Sequence, residues 1–203
     1  NWGSWPDGDN DGLPDKWETE GVWVDGEFLD LPAEGVSVSR PDLFIYADAE
    51  AGWGLNDAVF SYLQSAFATS PLLVKVHVIR GSTPVPSALV AGWNGADLAA
   101  FQRVQEASGF DETMWAGGCG VPQLAKYSLN LRPGSMYDAD GPRPDLGGTS
   151  QVQGDAFTTS YDPSWFGAAL RTPSRVSPTS FATAANLMHE LGHALGLPHS
   201  NPE

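Results

Sequence analysis

His189-Glu190-Leu191-Gly192-His193-Ala194-Leu195-Gly196-Leu197-Pro198-His199 is the stretch on which the reading of the whole chain turns. On a helix, His189 and His193 stand four residues apart and share a face, so both imidazoles can point at one ion. Glu190 is displaced by about 100° around the same helix, as a 3.6-residue turn requires, and can reach a water on that ion. Gly196 can take the left-handed conformation that ends a helix, and Pro198 discourages its resumption. The backbone then turns so that His199 returns as a third nitrogen ligand. Three neutral nitrogens and an open fourth position describe a catalytic zinc (Zn2+) site, with Glu190 as its general base. The short pattern His-Glu-x-x-His arises by chance in many helices. The extended pattern also fixes Gly196 and His199, and it takes three of the four histidines in the chain.

Working outward, the helix that carries these ligands is predicted to begin after Ser177 or Thr179 and to run through Ala184 to Leu195. Upstream, Val22-Trp23-Val24, the turn Asp25-Gly26 and Phe28-Leu29-Asp30-Leu31 predict a hairpin. Leu43 to Ala47 predicts a buried strand. Asn56 or Asp57 caps a predicted helix that carries Val59, Phe60, Leu63 and Phe67 and ends before Pro71. Leu72 to Ile79 predicts another strand. His77 within it, between Val76 and Val78, reads as a packed or hydrogen-bonded residue and not as a ligand. A helix follows from Asp97 to Ala107, and Ala125 to Leu131 predicts a strand with Tyr127, Leu129 and Leu131 on one face. Strands alternating with helices predict an α/β layering with a twisted sheet. Arg132 to Asp155 is a long Gly/Pro/Asp-rich stretch, predicted to be a loop. Its Asp138, Asp140 and Asp145 read as surface turns more readily than as a cation site. Phe157 to Tyr161 predicts a further strand near the cleft.

A second motif lies near the N-terminus, Asp7-Gly8-Asp9-Asn10-Asp11-Gly12-Leu13-Pro14-Asp15-Lys16-Trp17-Glu18. With Asp7 at position 1, Asp9, Asp11, Asp15 and Glu18 fall at 3, 5, 9 and 12, Gly12 at the sharp turn, and Leu13 offers its carbonyl. Aspartates held this close repel one another without a cation between them. The preceding Trp5-Pro6 cannot close an entering helix, so the motif predicts an isolated structural calcium (Ca2+) loop and no signalling sensor. Residues 1–20 are read as this loop appended to a domain over residues 21–203.

The bulk numbers narrow the function classes. A hydrophobic fraction of 41% over 203 residues is enough for a core, and a charged fraction of 17% is too low for a disordered acidic tail. The formal net charge of −15 argues against nucleic acid or an anionic membrane as partner, and no apolar run reaches membrane-spanning length. A single cysteine, Cys119, excludes an intrachain disulfide, which leaves calcium as the expected staple of a secreted chain. No Gly-x-Ser-x-Gly elbow is present, so covalent catalysis by serine is disfavoured.

His189 to His199 resembles the signature of the metzincin clan of zinc endopeptidases, and Ser200 is similar to the serine that follows it in the matrixin branch. The Asp-rich loop running into Trp17-Glu18, Leu29-Asp30-Leu31-Pro32-Ala33, Asp42-Leu43-Phe44 and Gly147-Gly148-Thr149 resemble segments of secreted bacterial metzincin-like proteins. The resemblance implies a twisted, mostly parallel sheet with a backing helix and an active-site helix. It also implies an edge strand, sought between Gly147 and Tyr161, that binds extended peptide by strand addition. In the clan a methionine turn follows the third histidine. Here the sequence ends four residues after His199, so the C-terminal subdomain is expected to be missing or very short. Cys119-Gly120-Val121-Pro122 is similar to the core of the matrixin cysteine switch, although a structural loop cysteine is the other reading.

The expected function is that of a secreted, calcium-stabilised zinc endopeptidase acting on polypeptides. His189, His193 and His199 are its ligands and Glu190 its base. The rivals are a non-catalytic binding or adhesion module held by zinc and calcium, and a zinc hydrolase of small amides.

Overall fold

The acidic N-terminal loop leads into a short helix, α1 (Asp15–Glu20), and a hairpin of β1 (Val22–Val24) and β2 (Glu27–Leu29). The computed structural model describes residues 5–91, 93–94, 98–118, 120–132, 136–138, 141–142, 148–150, 154–160 and 178–199. Asp25 and Gly26 at the hairpin tip both have positive φ, 48° and 89°, the conformation whose twist matches two antiparallel strands. The hairpin is shorter than predicted because Asp30 caps a helical turn instead of extending the strand. Its carboxylate accepts the Ala33 N–H at 3.1 Å, and Leu31 opens α2 (Leu31–Glu34).

Then come β3 (Asp42–Ala49), α3 (Asp57–Ala68) and β4 (Lys75–Arg80). Asn56 caps α3 through the Val59 N–H at 3.2 Å. β4 starts three residues later than the apolar run, because Leu73 adopts a left-handed φ of 54° and closes a turn onto Ser70. α4 (Ser87–Val90), β5 (Trp93–Asn94), α5 (Leu98–Ser108) and β6 (Ala125–Asn130) follow. The Arg132–Asp155 stretch, predicted as a loop, instead contributes β7 (Met136–Asp138), β8 (Gly141–Pro142) and β9 (Gly148–Ser150). β10 (Ala156–Thr159) and the long helix α6 (Pro178–Ala194) complete the described elements.

The main sheet runs in the order β4-β3-β6-β10-β9, with its first four strands parallel and β9 antiparallel on the outside. This is the α/β class with a mostly parallel sheet. Parallel strands need helical crossovers, which cover both faces, so inner strands are buried on both sides. β6 shows it: Tyr127, Leu129 and Leu131 share one face as predicted, and Ser128 and Asn130 on the other face are enclosed as well. One face packs Phe44, Tyr46, Tyr127 and Leu129 against Phe101 and Val104 of α5, together with Leu13, Trp17, Val22 and Leu29 from the N-terminal segment. The opposite face packs Ile45, Val76 and Phe157 against Val59, Phe60 and Leu63 of α3 and against α6. Among the described residues no helix is long and apolar enough to cross a membrane.

Candidate metal centre

α6 is held by a stripe at helical spacing: Ala184, Leu187, Leu191 and Ala194 all belong to the core shared with α3 and the sheet. Leu187 and Leu191 are completely enclosed, each contributing about 1.5–3 kcal/mol of apolar burial. His189 and His193 point away from that stripe. The helix ends where Gly196 takes a φ of 96°. The Gly196 N–H then donates to the His193 carbonyl at 2.8 Å, and the Leu197 N–H to the Gly192 carbonyl at 2.9 Å. These two bonds are the Schellman closure, and they turn the chain so that His199 comes back over the helix.

The three imidazoles meet. Their Nε2 atoms lie 3.2 Å (His189–His193), 3.0 Å (His193–His199) and 3.0 Å (His189–His199) apart. His193 Nδ1 lies 2.6 Å from the Leu197 carbonyl, an acceptor only, so the proton sits on Nδ1 and Nε2 carries a lone pair. Each ring nitrogen offers either one N–H or one lone pair, so three this close cannot all pair with one another, and a cation between them satisfies all three. Nitrogens bound tetrahedrally to zinc at about 2.0–2.1 Å stand roughly 3.3–3.4 Å apart, close to what is seen. Burial, then the neighbouring His193 and His199, holds the His189 pKa below its ordinary range, which keeps that ring neutral for ligation. The donor set fits zinc.

Glu190 faces inward and is 5% exposed. Burial pushes its carboxyl up to about 7, with His193 pulling the other way. Gly148 of β9 packs directly on it: a Cβ there would stand 2.6 Å from Glu190 Cγ and 2.4 Å from the Thr158 carbonyl. The outer strand of the described sheet thus lies against the candidate base, inside the segment where the edge strand was sought. Gly147 and Tyr161, which bound that segment, lie outside the described residues, as do Cys119, Asp140, Asp145, the side chain of Asp138 and Ser200.

The N-terminal loop forms two carboxylate groups that share one member: Asp7, Asp9 and Asp11, and Asp11, Glu18 and Asp42. In each group the oxygens lie within 4.8 Å of one another. Asp7 Oδ1, Asp9 Oδ2 and both Glu18 oxygens are buried with no hydrogen-bond partner among the described residues, the condition of ligand atoms around a cation. Burial, then repulsion from neighbouring aspartates, pushes Glu18 up to about 8. Burial also raises Asp11 to about 6, against hydrogen bonds from Asp42 and Leu13. Asp15 lies outside both groups and accepts the Gly8 N–H at 2.7 Å. Leu13 donates its N–H to Asp11 at 2.7 Å and buries its side chain in the core. Sequence reasoning missed Asp42, the first residue of β3. Its signal was a carboxylate at an enclosed strand position, which asks for a partner. His77, read as a packed residue, is one: it is buried, lies 2.6 Å from Asp42 Oδ1 and stacks on Phe44 at 4.3 Å.

No protein-family model matches the chain, and no curated protein matches it either. Among solved structures, the crystal structure of archaemetzincin from Methanopyrus kandleri aligns over 80% of this chain and 77% of that one, at 17% identity and a TM-score of 0.46.

Proposed function

We propose that the chain is a secreted zinc endopeptidase of metzincin type whose N-terminal loop is held by calcium. The convergence of three histidine Nε2 atoms beside a buried Glu190 carries the reading. Three Nε2 atoms within 3.2 Å of one another cannot all be satisfied by hydrogen bonds among themselves, whereas one ion satisfies all three. A zinc ion held there supplies Lewis acidity and a water acidic enough to ionise near pH 7. Glu190 takes the proton as water adds to the peptide carbonyl and passes it to the departing amine nitrogen. Burial raises that carboxyl in the metal-free chain, against the pull of the cationic site, toward the range that suits both halves of the transfer. The Leu197 carbonyl keeps His193 in the tautomer that leaves Nε2 to the metal. The substrate is an extended polypeptide that adds as a strand beside β9, which places its backbone next to Glu190. Calcium in the acidic loop fits an extracellular setting, where weak structural calcium sites are loaded.

The test is casein hydrolysis by the zinc-loaded chain and by Glu190→Ala, with zinc measured in both. The substitution is expected to keep the zinc and to lose turnover by about 10²–10⁴-fold, the worth of a positioned general base. Bound zinc without turnover in the parent chain would point to a binding module, and turnover confined to small amides to a deacylase-type hydrolase.

A further inference from the structure

The carboxylate group nearest the sheet differs from the one that the loop spacing describes. Glu18 is 3% exposed, neither of its oxygens has a hydrogen-bond partner among the described residues, and one of them lies within 4.8 Å of carboxylate oxygens of Asp11 and Asp42. Asp42 lies 31 residues beyond Asp11 and opens β3. The Asp42 backbone N–H donates to Asp11 Oδ2 at 2.7 Å, so loop and strand are already in register. The carboxylate of Asp42 is pinned by three donors: the Ser37 N–H at 2.9 Å on Oδ2, Arg40 at 3.1 Å and His77 at 2.6 Å on Oδ1. Such fixing from behind is what surrounding side chains do for a ligating carboxylate. On Oδ2 the Ser37 N–H is the one short bond, and Arg40 stands at 3.5 Å. Arg40 offsets one negative charge of the group, and no described hydrogen bond to Glu18 offsets another.

We propose that a hard divalent cation of the calcium type binds between Asp11, Glu18 and Asp42, with Asp42 as a ligand supplied by the central sheet. The proposal rests on the calcium reading of the loop and extends it: the cation fastens the N-terminal segment to the first strand of the sheet. Asp11 then serves both carboxylate groups. Hard cations of this kind take six to eight oxygens, so ligands from two chain segments are in keeping with the chemistry.

Calcium titration of the zinc-loaded chain by calorimetry tests this on the parent, Asp42→Asn, Glu18→Gln and the exposed control Glu27→Gln. Both cluster variants are expected to bind at least about tenfold more weakly, with the control unchanged. Glu18→Gln removes no hydrogen bond, so it should fold with a calcium-free melting temperature no lower than the parent's. If the parent binds no calcium, the loop reading itself falls. If the parent binds and Asp42→Asn binds equally well, only the present proposal falls. Should Asp42→Asn fail to fold, the anomalous map of calcium-soaked parent crystals decides. A peak touching both Glu18 and Asp42 supports the site, and a peak held by Asp7, Asp9 and Asp11 alone overturns it.

Discussion

Single side chains carry the chemistry by being placed where they are uncomfortable alone. His193 gives its Nδ1 proton to a backbone carbonyl and is left with a lone pair facing two other rings. Glu190 is enclosed on the inner side of the same helix, against a glycine that leaves no room for a Cβ. Glu18 is buried among carboxylates, and no described residue donates to it. Each arrangement costs free energy in the chain by itself, and a cation of the matching kind would relieve it: a nitrogen-seeking one at α6, an oxygen-seeking one at the loop. The three histidines, and Asp7, Asp9, Asp11 and Glu18 of the loop, were legible as candidates because their spacing is set by local backbone geometry. Asp42 and Gly148 were not legible, since each earns its meaning from a partner far along the chain, Asp11 and Glu190 respectively.

At the scale of elements, α6 does two jobs with its two faces. Leu187 and Leu191 seat it against α3 and β10, and the opposite face presents the histidines. The third ligand depends on the helix ending at the right residue. Gly196 supplies the left-handed turn, and an Ala there meets the steric cost of that conformation, roughly 1–2 kcal/mol. Gly196→Ala is therefore expected to lower zinc affinity by about tenfold while leaving the bulk of the fold intact. Competition with a zinc chromophore measures the affinity, and far-ultraviolet circular dichroism the fold. An unchanged affinity would mean that His199 does not depend on this turn. The helix, its C-terminal stop and the strand-helix alternation were readable from periodicity and capping residues. The strands of the Gly/Pro/Asp-rich stretch were not, because β9 is defined by its pairing with β10 and has little apolar pattern of its own.

Across the whole molecule, the parallel sheet sets the histidine helix on one face and the N-terminal segment on the other. Stability should therefore report on the loop's charge. Asp11 and Glu18 ionise in the folded chain at about 6 and about 8, above the ordinary carboxylate range near 4. Groups raised in this way contribute fully below their unfolded pKa, and the contribution is lost as pH rises through the folded value. Burial lowers the His77 pKa despite its bond to Asp42, which acts in the opposite sense below about pH 6.5. From pH 6.5 to 8 the fall reports Glu18, which loses its proton among Asp9, Asp11, Asp15 and Asp42, together with Glu190, raised to about 7; the calcium increment isolates Glu18. In zinc-saturated, calcium-free buffer the melting temperature should drop across that interval, and the gain on adding calcium should grow with pH. A calcium increment that does not change between pH 6.5 and 8 would contradict the account. Cobalt(II) substitution probes the three-histidine zinc site itself. One cobalt per chain with the intense visible bands of a four-coordinate nitrogen site, abolished in His193→Ala, is the predicted result. Binding of no cobalt, or the weak spectrum of a six-coordinate ion that persists in His193→Ala, would contradict it.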